Sequence, residues 1–324
     1  MKTQPKLSAK YLKKWLQRFY ALQADRVQFM PRGECSWGFV ITAQDGQRYF
    51  LKLWMDGLCD RTMTPQVVKT MMALYYDFGI NQMAPPPLRA TTGQYVNKLE
   101  RYDAVLLHFV PGIPATDSVL TQMQLKYLGV LLGNIHTCKI SSTERPPMED
   151  FSPHFIEQLQ EIMREVDYPN GFYTPIQSEL LQILRRARQS LTRLLQDFIS
   201  AHQMMCLRDP NEFVVCHGDP SHGNIVITPD HQIALIDWDN PVYGPPERDV
   251  FFIQDQSVAM DGYRSVIGDD YEPDETAIRF YQLHWHMQEI VEHGGRTLYT
   301  KQSEEQNEYD TRKVVSHLKG IGIL

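Results

Sequence analysis

The chain has 324 residues, 43% hydrophobic and 22% charged, with a formal net charge of −7. This is enough apolar material for a core divided over two lobes, and the acidic balance argues against a general nucleic-acid binder while suiting a cationic small substrate. Five cysteines without a C-x-x-C pair suggest neither a disulfide framework nor a zinc cluster and fit a reducing cytoplasm, and no apolar run is long enough to cross a bilayer.

The N-terminus carries Lys2, Lys6, Lys10, Lys13, Lys14 and Arg18 but no apolar h-region, which excludes a secretory signal. Leu7, Tyr11, Leu12, Trp15, Leu16 and Phe19 recur at helical spacing and predict a packed amphipathic helix. Strands are expected over 27–31 and 37–42, flanking a loop that holds Arg32, Gly33, Glu34, Cys35 and Ser36. Asp45-Gly46 signals a hairpin into 48–54, which puts Lys52 inside a strand with apolar neighbours. A helix over about 64–77, closed by Gly79, precedes the triple proline at 85–87 and a second hairpin pairing 87–90 with 95–99. After a strand over 103–110, Pro111, Gly112 and Pro114 form a hinge, so the expected lobes are residues 1–110 and 111–324. Amphipathic helices come next over 121–138 and 177–205, strand and turn return over 213–239, and helices resume to the end. There is no internal repeat and no low-complexity segment.

The densest chemistry lies in VVCHGDPSHGNIVI, residues 214–227. Its β-branched flanks read as buried strands, and Gly218, Pro220 and Gly223 force a sharp turn that displays His217, Asp219 and Asn224. Asp and Asn also favour turns by bonding nearby backbone, so an ordinary Asx-turn is the competing reading. The adjoining residues weigh against it. A second apolar strand, 232–236, delivers Asp237 into Asp237-Trp238-Asp239. Two strand ends thus offer carboxylates and an amide, hard oxygen donors that suit Mg²⁺. The order is that of a phosphoryl-transfer site: a base Asp219, a metal-binding Asn224 five residues later, a metal-binding Asp237, and a strand lysine, Lys52, upstream for the phosphates.

His217-Gly218-Asp219 with Asn224, Ile236-Asp237-Trp238-Asp239, Gly244 and Glu247-Arg248-Asp249-Val250 resembles the aminoglycoside phosphotransferase and choline kinase family, most closely its spectinomycin phosphotransferase branch. Leu128-Gly129 to Leu132, ending in Ile135-His136, is similar to that family's first large-lobe helix, so the resemblance covers nearly the whole chain. It implies an α+β, protein-kinase-like two-lobe fold with a small β-rich N-lobe and a larger, mainly helical C-lobe. It also implies ATP or another nucleoside triphosphate with Mg²⁺ as cofactors, and a small-molecule hydroxyl as acceptor. Asp219 would be the catalytic base, Asn224 and Asp237 the metal ligands, and Lys52 and Gly33 phosphate contacts. The linker strand near Leu107 and Phe109 would meet adenine by its backbone, while His217 and Asp249 would brace the catalytic loop. Asp239 is left between a supporting carboxylate and a solvated turn residue. One departure stands out. Where the family pairs the strand lysine with a helix Glu, this chain has Gln66 or its neighbours, with Asp56 and Asp60 the nearest acids.

Only residues 238–247 separate Asp237 from Arg248-Asp249, too short for the peptide platform of a protein kinase, so a small hydroxyl acceptor is favoured over a serine/threonine side chain. A soft metal site at Cys216, His217 and His222 matches no zinc spacing. A non-catalytic nucleotide-binding module is the remaining alternative, disfavoured by the complete set of Lys52, Asp219, Asn224 and Asp237. From 255 to 310 there are thirteen acids against four bases, and Glu289 and Glu292, three residues apart on one helix with His286 and His293, are the acids expected to meet a cationic acceptor.

Overall fold

A computed structural model describes residues 4–32, 36–55 and 63–324; Gly33, Asp56 and Asp60 lie outside the described residues. The chain forms two compact units, Met1–Glu149 with Pro210–Glu272, and Asp150–Asp209 with Pro273–Leu324. The hinge expected at 110/111 therefore falls inside the first unit.

The first unit opens with α1 (Ala9–Tyr20), whose start is fixed by the Ser8 hydroxyl accepting the Tyr11 N–H. Leu12, Trp15 and Leu16 pack on one face of an antiparallel sheet made of β1 (Ala24–Met30), β2 (Trp37–Ala43) and β3 (Arg48–Met55), then, beyond α2 (Pro65–Met72), β4 (Val96–Leu99) and β5 (Tyr102–His108). The strand order is β1-β2-β3-β5-β4. Side chains alternate across a strand, so Leu51 and Leu53 join the α1 core with Phe39, Ile41, Ala104 and Leu106, while Lys52 and Trp54 face the other side. Helix α2 is capped by Thr64 with Pro65 in its first turn, and widens into a π-helical turn over Ala73–Asp77 before Gly79 at φ 69°.

The second hairpin differs from expectation. Residues 87–90 form no strand, because the prolines supply no N–H to a ladder; Leu88 N–H bonds the Leu106 carbonyl and Ala90 closes a turn with Gln94. The hairpin is β4 with β5, joined through Glu100 at φ 54°. A glutamate carries the left-handed turn, so no Gly or Asn marks it in the sequence.

Next come β6 (Ile113–Pro114) and α3 (Gln122–Thr137), the latter started by a reciprocal Thr121–Gln124 capping box. The chain leaves this unit for α4 (Phe155–Asp167) and α5 (Pro175–Met205) and returns at β7 (Val214–Cys216), β8 (Ile225–Ile227), β9 (Ile233–Leu235), β10 (Val242–Gly244), α6 (Glu247–Val250) and α7 (Ser257–Ile267). Strands β6, β8 and β9 form one small sheet, and β7 pairs with β10. Helices α3 and α7 touch backbone to backbone: a Cβ on Gly129 would lie 1.8 Å from the Ala259 carbonyl oxygen, and one on Gly262 would lie 2.0 Å from that of Lys126.

The second unit packs α4, α5 and α9 (Glu304–Gly320) around α8 (Glu275–Tyr299). Its core includes the rings of Phe155, Phe198 and Phe280, with Phe198 stacked on Phe280 at 5.1 Å. Between α8 and α9 the seam is polar. His293 Nδ1 lies 2.6 Å from Asp310, which also receives Arg296, Gln302 and Gln306. Among the described residues no helix is long and apolar enough to cross a membrane.

Candidate active site

The loop between β7 and β8 is held from below. Gly218 sits at φ 89°, and a Cβ there would meet the Asn240 carbonyl oxygen at 2.4 Å, so the turn admits only glycine. Its N–H and that of His217 both donate to Asp249 at 2.8 and 2.7 Å, and His136 Nε2 lies 3.2 Å from the same carboxylate. Asp249 is fully buried; burial pushes its carboxyl up, but the bonds from His136 and the loop amides outweigh this and hold it below the usual range. His217 Nε2 lies 3.0 Å from the Ile236 carbonyl and its Nδ1 accepts the Asp219 N–H at 3.3 Å, so the ring ties the loop to the end of the β9 turn. Its ring stands edge-on to Trp238 at 4.6 Å.

His136, Cys216 and Asp249 bring potential ligand atoms within 4.8 Å of one another. No soft metal is needed to explain them. Burial raises the Cys216 thiol well above its ordinary value, keeping it a thiol, 3.4 Å from the Pro245 carbonyl, while the Asp249 oxygens already serve three donors.

Above this base, Asn224 Nδ2 donates to both the backbone oxygen and Oδ2 of Asp219, each at 2.9 Å. That orients the Asp219 carboxylate and leaves Asn224 Oδ1 as the acceptor end of the amide. The Ile236 N–H bonds the Asn224 carbonyl at 2.8 Å, tying the turn that bears Asp237 to the turn that bears Asn224. Asp237 adopts φ 67°, a left-handed conformation that Asp tolerates better than most residues and that concentrates at functional turns.

Lys52 Nζ lies 2.5 Å from Asp237 Oδ1 and 2.5 Å from Asp239 Oδ2. Burial pulls the ammonium's pKa down, but the two carboxylates outweigh it and hold it above its ordinary value. Asp239 is pushed up to about 6, by burial first and by the charge of Asp237 next. Two carboxylates against one ammonium leave a local surplus of negative charge. Asn224 Oδ1 and the Asp237 carboxylate are hard-oxygen donors of the kind that could hold a Mg²⁺ ion.

The linker residues expected to meet adenine, Leu107 and Phe109, lie beside β3. Phe109 N–H donates to the Arg48 carbonyl at 3.2 Å and its ring lies under the Arg48 guanidinium at 3.8 Å. In an antiparallel pair the bonded residues alternate, so Leu107, opposite Phe50, also turns its backbone groups into β3. His108, opposite Tyr49, directs its N–H and C=O away from β3, on the same side as the Leu106 carbonyl that receives Leu88.

Asp239, Trp54 and His136 are contributors that sequence reasoning did not assign. A period-two count along 48–54 already puts Trp54 on the Lys52 face. Asp239 stands in the sequence only as one of two readings, a supporting carboxylate or a solvated turn residue, and His136 only as the end of a helix that resembles the family's. In the second unit, Glu289 is buried, with its carboxylate 3.3 Å from His293 and 3.9 Å from His317, whereas Glu292, the more exposed of the two acids, accepts the Gln288 amide at 2.9 Å and lies 3.9 Å from Arg296.

The model of the phosphotransferase enzyme family matches residues 38–281. The chain is 27% identical over 217 residues to protein StrN of Streptomyces griseus, an alignment covering 65% of this chain and 63% of that protein. Among solved structures, a spectinomycin phosphotransferase in complex with ADP and spectinomycin superposes with a TM-score of 0.80 at 18% identity, covering 96% of this chain and 95% of the other. An amicoumacin kinase in complex with AMP-PNP, Ca²⁺ and Ami gives 0.60 at 16% identity, covering 97% and 94%. These likenesses extend to an N-terminal antiparallel sheet followed by a mostly helical part, the protein-kinase-like arrangement.

Proposed function

The chain belongs to the phosphotransferase enzyme family and is one of its kinases, and from that premise we propose that it transfers the γ-phosphoryl group of ATP to a hydroxyl of a small cationic molecule of the aminocyclitol or aminoglycoside kind. The observation that carries this is a convergence: the Asn224 amide 2.9 Å from Asp219 Oδ2, and Lys52 2.5 Å from Asp237, within one unit of the fold.

In this reading Asp219 aims the acceptor hydroxyl and takes its proton as the new O–P bond forms and the bond to the β-phosphate oxygen breaks, releasing ADP. Lys52 supplies positive charge to the phosphates, and the outward backbone of His108 is placed for the adenine edge. Asn224 and Asp237 would hold a Mg²⁺ ion, which would neutralise charge on the β- and γ-phosphates. His217 and Asp249 hold the loop so that Asp219 needs no reorganisation. The short segment 238–247 favours a small acceptor over a protein one. The acidic balance, −7 overall, favours a cation, and a neighbour of the same fold was solved with spectinomycin. Glu292, more exposed than Glu289, stays in the proposal as an acceptor contact on charge alone, while Glu289 is assigned to joining α8 and α9.

Radiolabelled γ-phosphate transfer from ATP with Mg²⁺, screened over spectinomycin, other aminocyclitols, choline, amino alcohols and a generic protein, tests this. Transfer to a cationic alcohol is expected. Nucleotide binding without turnover on any acceptor points instead to a binding module, and label appearing only in protein points to a protein kinase.

A further inference from the structure

A lysine buried in an apolar strand needs a standing counter-charge, since an unpaired buried ammonium costs several kcal/mol. Lys52 is 6% exposed. Helix α2, where the family would place a glutamate for it, carries no acid over Pro65–Met72. Its polar positions are committed elsewhere: the Gln66 amide donates to the Thr143 and Arg145 carbonyls, and the Thr70 hydroxyl to the Glu144 carbonyl at 2.6 Å. The helix is thereby tied to the 143–145 segment rather than to β3.

Among the described residues, the carboxylates that meet Lys52 are those of Asp237 and Asp239, and they are unlike each other. The Asp237 side chain is 39% exposed and sits on a left-handed turn beside Asn224. The Asp239 side chain is 8% exposed, and its Oδ2 receives both the Lys52 ammonium at 2.5 Å and the Trp54 indole N–H at 3.0 Å. Lys52 and Trp54 are two residues apart on one face of β3, so a single oxygen staples that face to the 236–239 turn. We infer that Asp239 is the positioning residue of this site, taking over the task of the missing helix glutamate: it keeps the Lys52 ammonium in place while Asp237 turns to the metal. This rests on the reading that Lys52 and Asp237 serve a Mg²⁺-nucleotide. Its consequence is that lysine placement is built into the same turn as the metal ligand, and a displacement of α2 does not switch it.

The test uses the full chain. Asp239→Asn preserves shape and an acceptor for Trp54 but removes the charge. Lys52 then holds Asp237 alone, in competition with the metal, so the Mg²⁺ concentration for half-activation at saturating ATP should rise about tenfold and kcat should fall about 100-fold with the acceptor KM unchanged. A merely structural loss would move all of these parameters together. Without nucleotide, thermal melts of Lys52→Met, Asp239→Asn and the double variant form a cycle, and the two single losses should exceed that of the double by roughly 4 °C or more. Where Asp239→Asn does not fold, Trp54→Phe, which removes one anchor of the same carboxylate, should shift the Mg²⁺ requirement upward by about threefold. Additive melts, or an unchanged Mg²⁺ requirement in the folded variant, overturn the assignment. A wild-type protein that binds no nucleotide counts against the phosphotransferase reading instead, and the nucleotide-free cycle still decides the pairing.

Discussion

Asp219 and Asp249, thirty residues apart in sequence, are both carboxylates of one loop system yet have different work. Asp249 is fully buried and bonded by two backbone N–H groups and a histidine, the surroundings of a brace. Asp219 is partly exposed and its carboxylate is oriented by the Asn224 amide, which suits the general base proposed above. Asp219→Asn is therefore expected to lower kcat by about two to four orders of magnitude, the range for a positioned general base, with the ATP dissociation constant little changed. Steady-state transfer beside equilibrium nucleotide binding checks it, and near-normal turnover in a folded variant would remove Asp219 from the role.

Two pairs of helices are held by means that helix propensity does not reveal. A glycine inside a helix ordinarily costs about 1 kcal/mol relative to alanine, so Gly129→Ala on an open helix would stabilise. Here the added Cβ would fall 1.8 Å from the Ala259 oxygen, and the sign reverses. Gly129→Ala should destabilise by about 2 kcal/mol or more, roughly 5 °C in Tm, read by calorimetry. In the second unit, His286 of α8 meets His317 of α9 at 3.1 Å, packs under Gly320, and has Glu289 and Arg279 as its charged neighbours. Burial first, and the neighbouring His317 next, lower its pKa to about 4 from an ordinary 6.5. The folded chain then binds fewer protons than the unfolded one between these values, so the stability His286 contributes is complete above about 6.5 and is lost as pH falls toward 4. Melting temperature should fall over this window, and His286→Asn should flatten the slope; an unchanged slope would place the titration elsewhere.

For the molecule as a whole, the residues assigned to catalysis come from both segments of the first unit, which are separated in sequence by α4 and α5. A ligand that binds this assembled set and not the unfolded chain must stabilise it by mass action. ATP with Mg²⁺ at about 100 times its dissociation constant should add ~2.7 kcal/mol, roughly 5–10 °C in Tm. Chelation with EDTA should remove most of that gain, and Asp237→Ala should remove the Mg²⁺-dependent part alone. A shift that survives chelation intact would make Asp237 structural.

Sequence by itself determined the parts whose physics is local. The 214–227 motif, the alternation that places Lys52 in a strand, the helix from about 64 closed at Gly79, and the spacing of Asp219, Asn224 and Asp237 all arise from patterns over a few residues. The tertiary structure alone decided what those parts meet. Lys52 and Trp54 reach Asp237 and Asp239 across 185 residues, and no local pattern records that a turn rather than a helix supplies the counter-charge. The one-residue parity that directs His108 outward instead of Leu107 and Phe109 is set by β3, since alternation specifies two faces without saying which faces the partner strand. Gly129 reads in sequence as a weak helix position, and only the approach of α7 makes it obligatory. Short-range spacing is written in the chain, whereas the choice among distant partners is made by packing them together.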